Sequence, residues 1–320
     1  MLKSPIITVI VLTGLAFAAV VVIARSQTAA RVPVRVALAK PVPPTAAPIA
    51  RGAFVPGVQA SEILDGAIRQ FQNFASVAAA INLEINLLGY DLIGSGIYLE
   101  QDPLHSHHVR LELNVHRGDQ TFTMLQVCDG RYLWNYRDRG TGPEVTRINL
   151  EKISRAREQR DGQPFWPGDL TGMATYLRRL RDGFDFGPVE DFRSPQGLSL
   201  WRIRGRWKPY CLAVMLPEQK KAIEQGRPAD LSKLPAYAPD EVVVCLRQSD
   251  LFPSTFEYCR TSADPEGNPK TAVITAMWLT NIQVNIPIEP VRFHYSPGDL
   301  KPMDQTQWYM HNIYGVAGAN

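Results

Sequence analysis

The 320-residue chain is expected to fold as an α+β domain. The expected architecture is a curved antiparallel β-sheet, a half-barrel of about ten to eleven strands, with helices on its concave side and a transmembrane helix ahead of it. Three observations predict it. Residues 109–116 alternate apolar and polar without a slip, the period of a strand with one buried face. Residues 120–128 and 131–137 follow across Asp129-Gly130, a pair suited to a two-residue type I′ turn. Finally, Pro5 to Ala24 carries no charge and is rich in Val, Ile, Ala and Leu. At about 1.5 Å per residue, that stretch covers the roughly 30 Å of a bilayer core.

Residues 1–25 are accordingly expected to be a signal-anchor. Val22-Ile23-Ala24 and Thr28-Ala29-Ala30 keep cleavage of the leader open as the alternative. Flanking charge leaves orientation nearly tied, with Lys3 on one side and Arg25, Arg31 and Arg35 on the other. No cysteine precedes Cys128, which excludes a lipid-modified amino terminus of the bacterial lipoprotein kind. Residues 26–59 form a Pro/Ala-rich basic linker with Pro33, Pro41, Pro43, Pro44, Pro48 and Pro56, a composition that favours an extended spacer. Six of the 34 basic residues lie within 1–51, where there is no acid, so the remaining 28 bases face 31 acids. The folded part is therefore slightly acidic, a poor match to nucleic acid, whose binding rests on phosphate neutralisation.

One domain is expected over 60–299, followed by a tail over 300–320. It opens with a helix capped by Ser61 and running toward Ala80, with Ile63, Leu64, Ala67, Ile68, Phe71, Phe74, Ala75 and Ala78 on one face. Strands are expected over 81–88, 90–100, 109–116, 120–128, 131–137 and 145–150. Helical material follows over 152–160 and again over 169–182, where Asp169 is the cap, Leu170, Met173, Leu177 and Leu180 the apolar stripe, and Gly183 the stop. Later strands are expected over 198–208, 242–248, 254–260 and 272–285. The stretch from Pro209 to Ala238 reads as an insertion with a small helix near 217–225. Gly94-Ser95-Gly96 eases a bend in a curved strand.

Register decides which face is buried, because a slip of one residue turns every side chain over. With Asp129-Gly130 as the two-residue turn and a three-residue loop over Arg117-Gly118-Asp119, seven residues share a face: Leu111, Leu113, Leu125, Val127, Tyr132, Trp134 and Tyr136. A two-residue loop would instead put Arg110, Glu112 and Asn114 on the aromatic face. The apolar choice makes those seven the candidate ligand-cavity residues. Arg202, Arg204 and Arg206 share a face of one strand, opposite Trp201, Ile203 and Trp207, and are the candidate anion contacts. Cys245 and Cys259 come nearly opposite each other across an expected hairpin. Free buried thiols and a cross-strand disulfide both remain open for them, and three pairings exist for the four cysteines if all are oxidised.

Enzymatic signatures are missing. The chain has no phosphate-loop G-x-x-x-x-G-K-[ST], no H-E-x-x-H, no G-x-S-x-G and no C-x-x-C. His105, His107 and His108 are the only concentrated metal-type ligands, and no acid or cysteine has matching spacing, so neither a metal nor another cofactor is expected.

The pattern Asp129-Gly130-x-x-Leu133-Trp134-x-Tyr136 resembles the central hairpin of the LolA-like periplasmic lipoprotein carriers. The closing stretch Asn281…Ile286-Pro287-Ile288…Phe293-His294-Tyr295-Ser296-Pro297-Gly298 is similar to that group's ending. The resemblance covers about 60–299. It implies a half-open antiparallel barrel capped by helices, with an apolar cavity for acyl chains and no catalysis. This chain departs from the carriers in having Gln101-Asp102-Pro103 where they have Arg-Pro, in the insertion, and in its tether.

Two readings follow. One is a membrane-tethered, periplasmic protein, anchored in the inner membrane, that binds acyl chains of lipids or lipoproteins as carrier, acceptor or sensor. The other is a non-catalytic protein-interaction or envelope-stress sensing module on the same fold, its cavity filled and its partner another envelope protein.

Overall fold

A short strand, β1 (Ala53–Phe54), precedes helix α1 (Ala60–Asn73) in the computed structural model, which describes residues 53–87, 89–103, 106–140, 142–161, 170–263 and 268–312. Six long strands follow: β2 (Ser76–Leu87), β3 (Tyr90–Gln101), β4 (His108–Arg117), β5 (Gln120–Asp129), β6 (Tyr132–Asp138) and β7 (Pro143–Asn149). Helices α2 (Leu150–Asp161) and α3 (Met173–Gly183) lead to β8 (Phe184–Phe186), β9 (Glu190–Arg193) and β10 (Ser199–Trp207). The insertion holds α4 (Pro209–Met215) and α5 (Lys220–Glu224), and the chain returns through β11 (Glu241–Arg247), β12 (Pro253–Ala263), β13 (Pro269–Val284), β14 (Met303–Asp304) and α6 (Thr306–Asn312).

Among the described residues these strands form one sheet of fourteen, in the order β1-β9-β10-β11-β12-β13-β2-β3-β4-β5-β6-β7-β14, with β8 beside β10. The expected ten to eleven strands omitted the short ones. Every pair is antiparallel except β14 on β7. The transmembrane segment expected over 1–25 and the linker up to residue 52 lie outside the described residues. Among those described, no helix is long and apolar enough to cross a membrane.

The boundaries move outward from 60 and 299. β1 pairs with β9, and Val55 N donates to Val189 O at 3.0 Å, so the last linker residues belong to the sheet. At the other end β14 and α6 are integral: Asn149 N donates to Thr306 Oγ1 at 2.8 Å, and Met310 is in the core.

Helix α1 buries Ile63, Leu64, Ala67, Ile68 and Phe71, much of the expected stripe. It starts after Gln59, with no side-chain cap, and stops at Asn73 rather than near Ala80. Residues 76–80 instead begin β2, pairing with β3 on one side and with β13 on the other. Helix propensity is a weak prior, and two ladders override it in this alanine run.

Gly96 explains the close approach of β3 and β4. A Cβ built there would stand 1.9 Å from Glu112 O, and one at Gly94 would stand 3.0 Å from Asn114 O. The curvature expected at Gly94-Ser95-Gly96 therefore comes with a crossing only glycine permits.

One core lies between the concave face and helices α1 and α3. Arg181 of α3 is paired with Asp65 of α1, and the hydroxyls of Tyr176 and Tyr258 hydrogen-bond to each other between α3 and β12. The insertion joins this core through Cys211, Leu216, Ile223 and Leu234. Arg260 on β12 holds it in place, donating to Leu234 O at 3.0 Å and Ala238 O at 2.7 Å.

Candidate binding face

Register in the central meander departs from expectation at both turns, by one residue between β4 and β5 and by two between β5 and β6. Arg117 pairs with Gln120, so the loop between β4 and β5 is Gly118-Asp119. Cys128 pairs with Leu133, so Asp129 to Tyr132 together connect β5 and β6. The Asp129 carboxylate accepts from Arg131 N at 2.9 Å and Tyr132 N at 2.6 Å. Asp129-Gly130 is not a two-residue turn; only Gly130 of this connection has a positive φ.

The seven candidate cavity residues therefore divide. Leu111 and Leu113 face the helices, in the core with Tyr98, Val109, Val115, Phe122, Cys128, Leu133 and Ile148. Leu125, Val127, Tyr132, Trp134 and Tyr136 face the other way, in a second cluster with Val145, Tyr295 and Leu300. The Trp134 and Tyr295 rings meet at a tilt of 51°, their centroids 5.6 Å apart, and Trp134 Nε1 donates to Asp129 Oδ2 at 3.1 Å. Arg110, Glu112 and Asn114 share that outer face, paired across from Val127, Leu125 and Thr123. They satisfy one another and their neighbours there: Arg110 Nη2 donates to Glu112 Oε2 at 2.9 Å, and Thr123 Oγ1 to Asn114 Oδ1 at 2.9 Å. Outward-facing charge is thus no obstacle, and the aromatic residues are covered by the chain after β13 rather than by helices.

Arg202, Arg204 and Arg206 do share the face away from the core, but two of them already have anions. Glu190 Oε2 accepts from Arg202 Nε at 2.8 Å, and the Arg202 side chain is 2% exposed. Arg204 reaches Glu190 at 3.2 Å and Glu241 at 3.0 Å. Arg206 is exposed, 4.0 Å from Glu241. Arg202 and Arg204 thus belong to a charge ladder whose anions are Glu190 and Glu241. The cysteine register also differs: Cys245 pairs with Thr255 and Cys259 with Glu241. All four thiols are free and buried.

The concave face is closed at its centre and looser toward β5 and β6. Leu111, Leu113 and Leu133 lie fully beneath the helices, whereas Met124, Gln126, Asn135 and Arg137 on the same face are only partly buried. A polar chain crosses this region: Thr171 Oγ1 donates to Gln126 Oε1, and Gln126 Nε2 to Asn135 Oδ1, both at 2.9 Å. The looser part therefore combines one apolar side chain, Met124, with two amides and a guanidinium.

Sequence reasoning missed one buried polar group next to it. Tyr98 and Glu100, two apart on the concave side of β3, meet His107, which the β3–β4 connection drives inward at φ +42°. Tyr98 donates to Glu100 and accepts from Met173 N at 2.8 Å, giving the first turn of α3 a partner. His107 Nδ1 is 3.8 Å from Glu100 Oε1, and a Cβ at Gly172 would collide with both side chains. Cys128 Sγ donates to His107 O at 3.1 Å, and burial pushes its thiol up to about 12. The i, i+2 spacing of Tyr98 and Glu100 was the available signal. No group of three or more His, Cys, Asp or Glu poised for a metal occurs among the described residues, and His105 is not among them.

Burial, opposed by Glu100, lowers the pKa of His107 from its ordinary 6.5. The unfolded chain then binds more protons than the folded one near that pH, so stability falls as pH drops through about 6.5 and is complete above it. Urea midpoints measured between pH 8 and 5 should show this slope, and His107→Gln should flatten it; an unchanged slope would assign the effect elsewhere.

No family model matches the chain, and no curated relative does. Solved structures with a similar fold include a LolA superfamily protein from Nitrosomonas europaea, at 10% identity over 75% of this chain and 99% of that one, with a TM-score of 0.29. LprF from Mycobacterium bovis is similar at 12% identity over 74% and 97% of the two chains, with a TM-score of 0.36. The MucA/MucB complex from Pseudomonas aeruginosa is similar at 10% identity over 75% of this chain and 62% of that one, with a TM-score of 0.37. These likenesses are of architecture, and the reading of the site rests on its own geometry.

Proposed function

We propose that the protein binds the acyl chain of a lipid or lipoprotein on the concave face of its half-barrel, without catalysis, as a carrier, acceptor or sensor. The observation that carries this reading is the partly buried side chain of Met124, edged by the amides of Gln126 and Asn135 and continuous with a core face of leucine and valine. Apolar burial supplies affinity at about 25 cal/mol per Å². Tethering outside the cytoplasm, at the inner membrane, belongs to the same reading and is supported by the apolar stretch at 5–24 and the basic linker. The second reading, a protein-interaction module, is favoured by the closed centre of the face under α1 and α3.

Full-length protein stripped of lipid should take up a fluorescent fatty acid saturably. Met124→Arg should weaken uptake at least about tenfold, since a guanidinium at that position would lack a partner, while Thr123→Arg, on the outer face, should leave it unchanged. If the stripped wild-type protein takes up no probe, the acyl-binding reading fails and the interaction module replaces it.

A further inference from the structure

Arg137 points to the concave side of β6, paired across from Met124 on β5 and Glu144 on β7. Its side chain makes no hydrogen bond or ion pair among the described residues, although it is only partly exposed. Arg139 brings a second guanidinium to the same rim. Its Nη2 lies 3.8 Å from Glu144 Oε2, and its Nε is buried without a hydrogen-bond partner. Glu144 is 66% exposed and, among the described residues, is the carboxylate that faces both arginines. On the helix side, the Tyr309 hydroxyl of α6 stands near Arg137 and Arg179. Burial, and then neighbouring Arg139, lower the pKa of Arg137, and Tyr309 and Glu144 offset part of that fall. Two guanidinium groups thus share one largely exposed carboxylate, and Arg137 stands beside the partly buried Met124. Guanidinium forks match phosphate oxygens in geometry as well as charge.

We propose that Arg137 and Arg139 bind the phosphate of an amphiphile whose acyl chain lies along the adjacent concave face. This rests on the acyl-binding reading above and narrows it to phosphate-bearing lipids. Tyr309 supplies a hydroxyl donor beside the pair, and the amides of Gln126 and Asn135 border the path from phosphate to chain. Glu144 sits at the exposed edge, where it can swing away when the phosphate arrives.

The test uses the full-length, delipidated protein and three probes by calorimetric titration: dioctanoyl phosphatidic acid, dioctanoylglycerol and inorganic phosphate. Phosphatidic acid should bind at least tenfold more tightly than dioctanoylglycerol. Arg137→Gln with Arg139→Gln should remove that preference while leaving dioctanoylglycerol affinity unchanged. Without ligand, the double variant should melt no lower than wild type, because it loses a poorly compensated cation; this separates lost binding from lost folding. Equal binding of both lipids by wild type, or a preference that survives in the double variant, overturns the phosphate site and leaves acyl binding intact. Binding of neither lipid overturns both, and inorganic phosphate bound alone would show an anion site unconnected with lipid.

Discussion

Glu190→Gln is expected to destabilise the fold by about 3 kcal/mol, the usual result of removing one partner from a buried ion pair. Arg202 is the largest fully buried side chain on the outer face, sandwiched between Glu190 and the ring of Phe192, whose centroid is 4.3 Å from the guanidinium carbon. Glutamine keeps the shape and one acceptor but withdraws the charge that also serves Arg204. Nearby Glu257 has its pKa raised by burial, partly offset by Arg204 and Arg202. Urea unfolding at pH 7 measures the loss. Restoring the balance with Arg202→Met in the same chain should recover much of it, whereas a loss below about 1 kcal/mol for the single variant would mean that the ladder is solvated and ordinary.

Gly96→Ala is expected to cost about 3 kcal/mol, at the upper end of overpacking effects. The new methyl group would stand 1.9 Å from a backbone oxygen of β4, which cannot rotate out of the way as a side chain would. β3 and β4 must separate locally, and the ladder from Ile93↔His116 to Gln101↔His108 weakens at its middle. Gly118→Ala, at a loop with nothing within 4 Å, provides the control for backbone strain alone at φ +55°. If the two variants lose equal stability, close strand approach is not what holds Gly96.

Alternation made the strands legible. The period of two in residues 109–116 survives in β4, and Ile203 and Trp207 of β10 lie in the core as their spacing required. The stripe of α1 and the stop of α3 at Gly183 were equally readable, because local periodicity and a glycine encode them. Register was not readable. It hung on two short loops, and the rule that charge avoids an aromatic face chose the wrong length, since Arg110 and Glu112 pair with each other on that face. The error then carried to five of seven candidate cavity residues. Arg137 was hidden for a related reason: one arginine at a strand end has no signature until Arg139, Glu144 and Tyr309 are brought beside it from separate elements. The arginines of β10 were conspicuous, yet their carboxylates come from β9 and β11, which sequence spacing does not align.

The pairing of β13 with β2 sets the order in which this molecule can be assembled. Asn82 and Thr280, which hydrogen-bond across that ladder, are 198 positions apart in the chain. A chain made from its amino terminus can build the β2–β7 meander early, but the open edge of β2 then waits for most of the remaining residues to appear. Contacts of such separation slow folding, and an unpaired apolar strand is open to pairing with other chains meanwhile. The sheet is therefore completed at its centre rather than its rim, and the middle of the molecule is where a nascent copy is most exposed to misassembly.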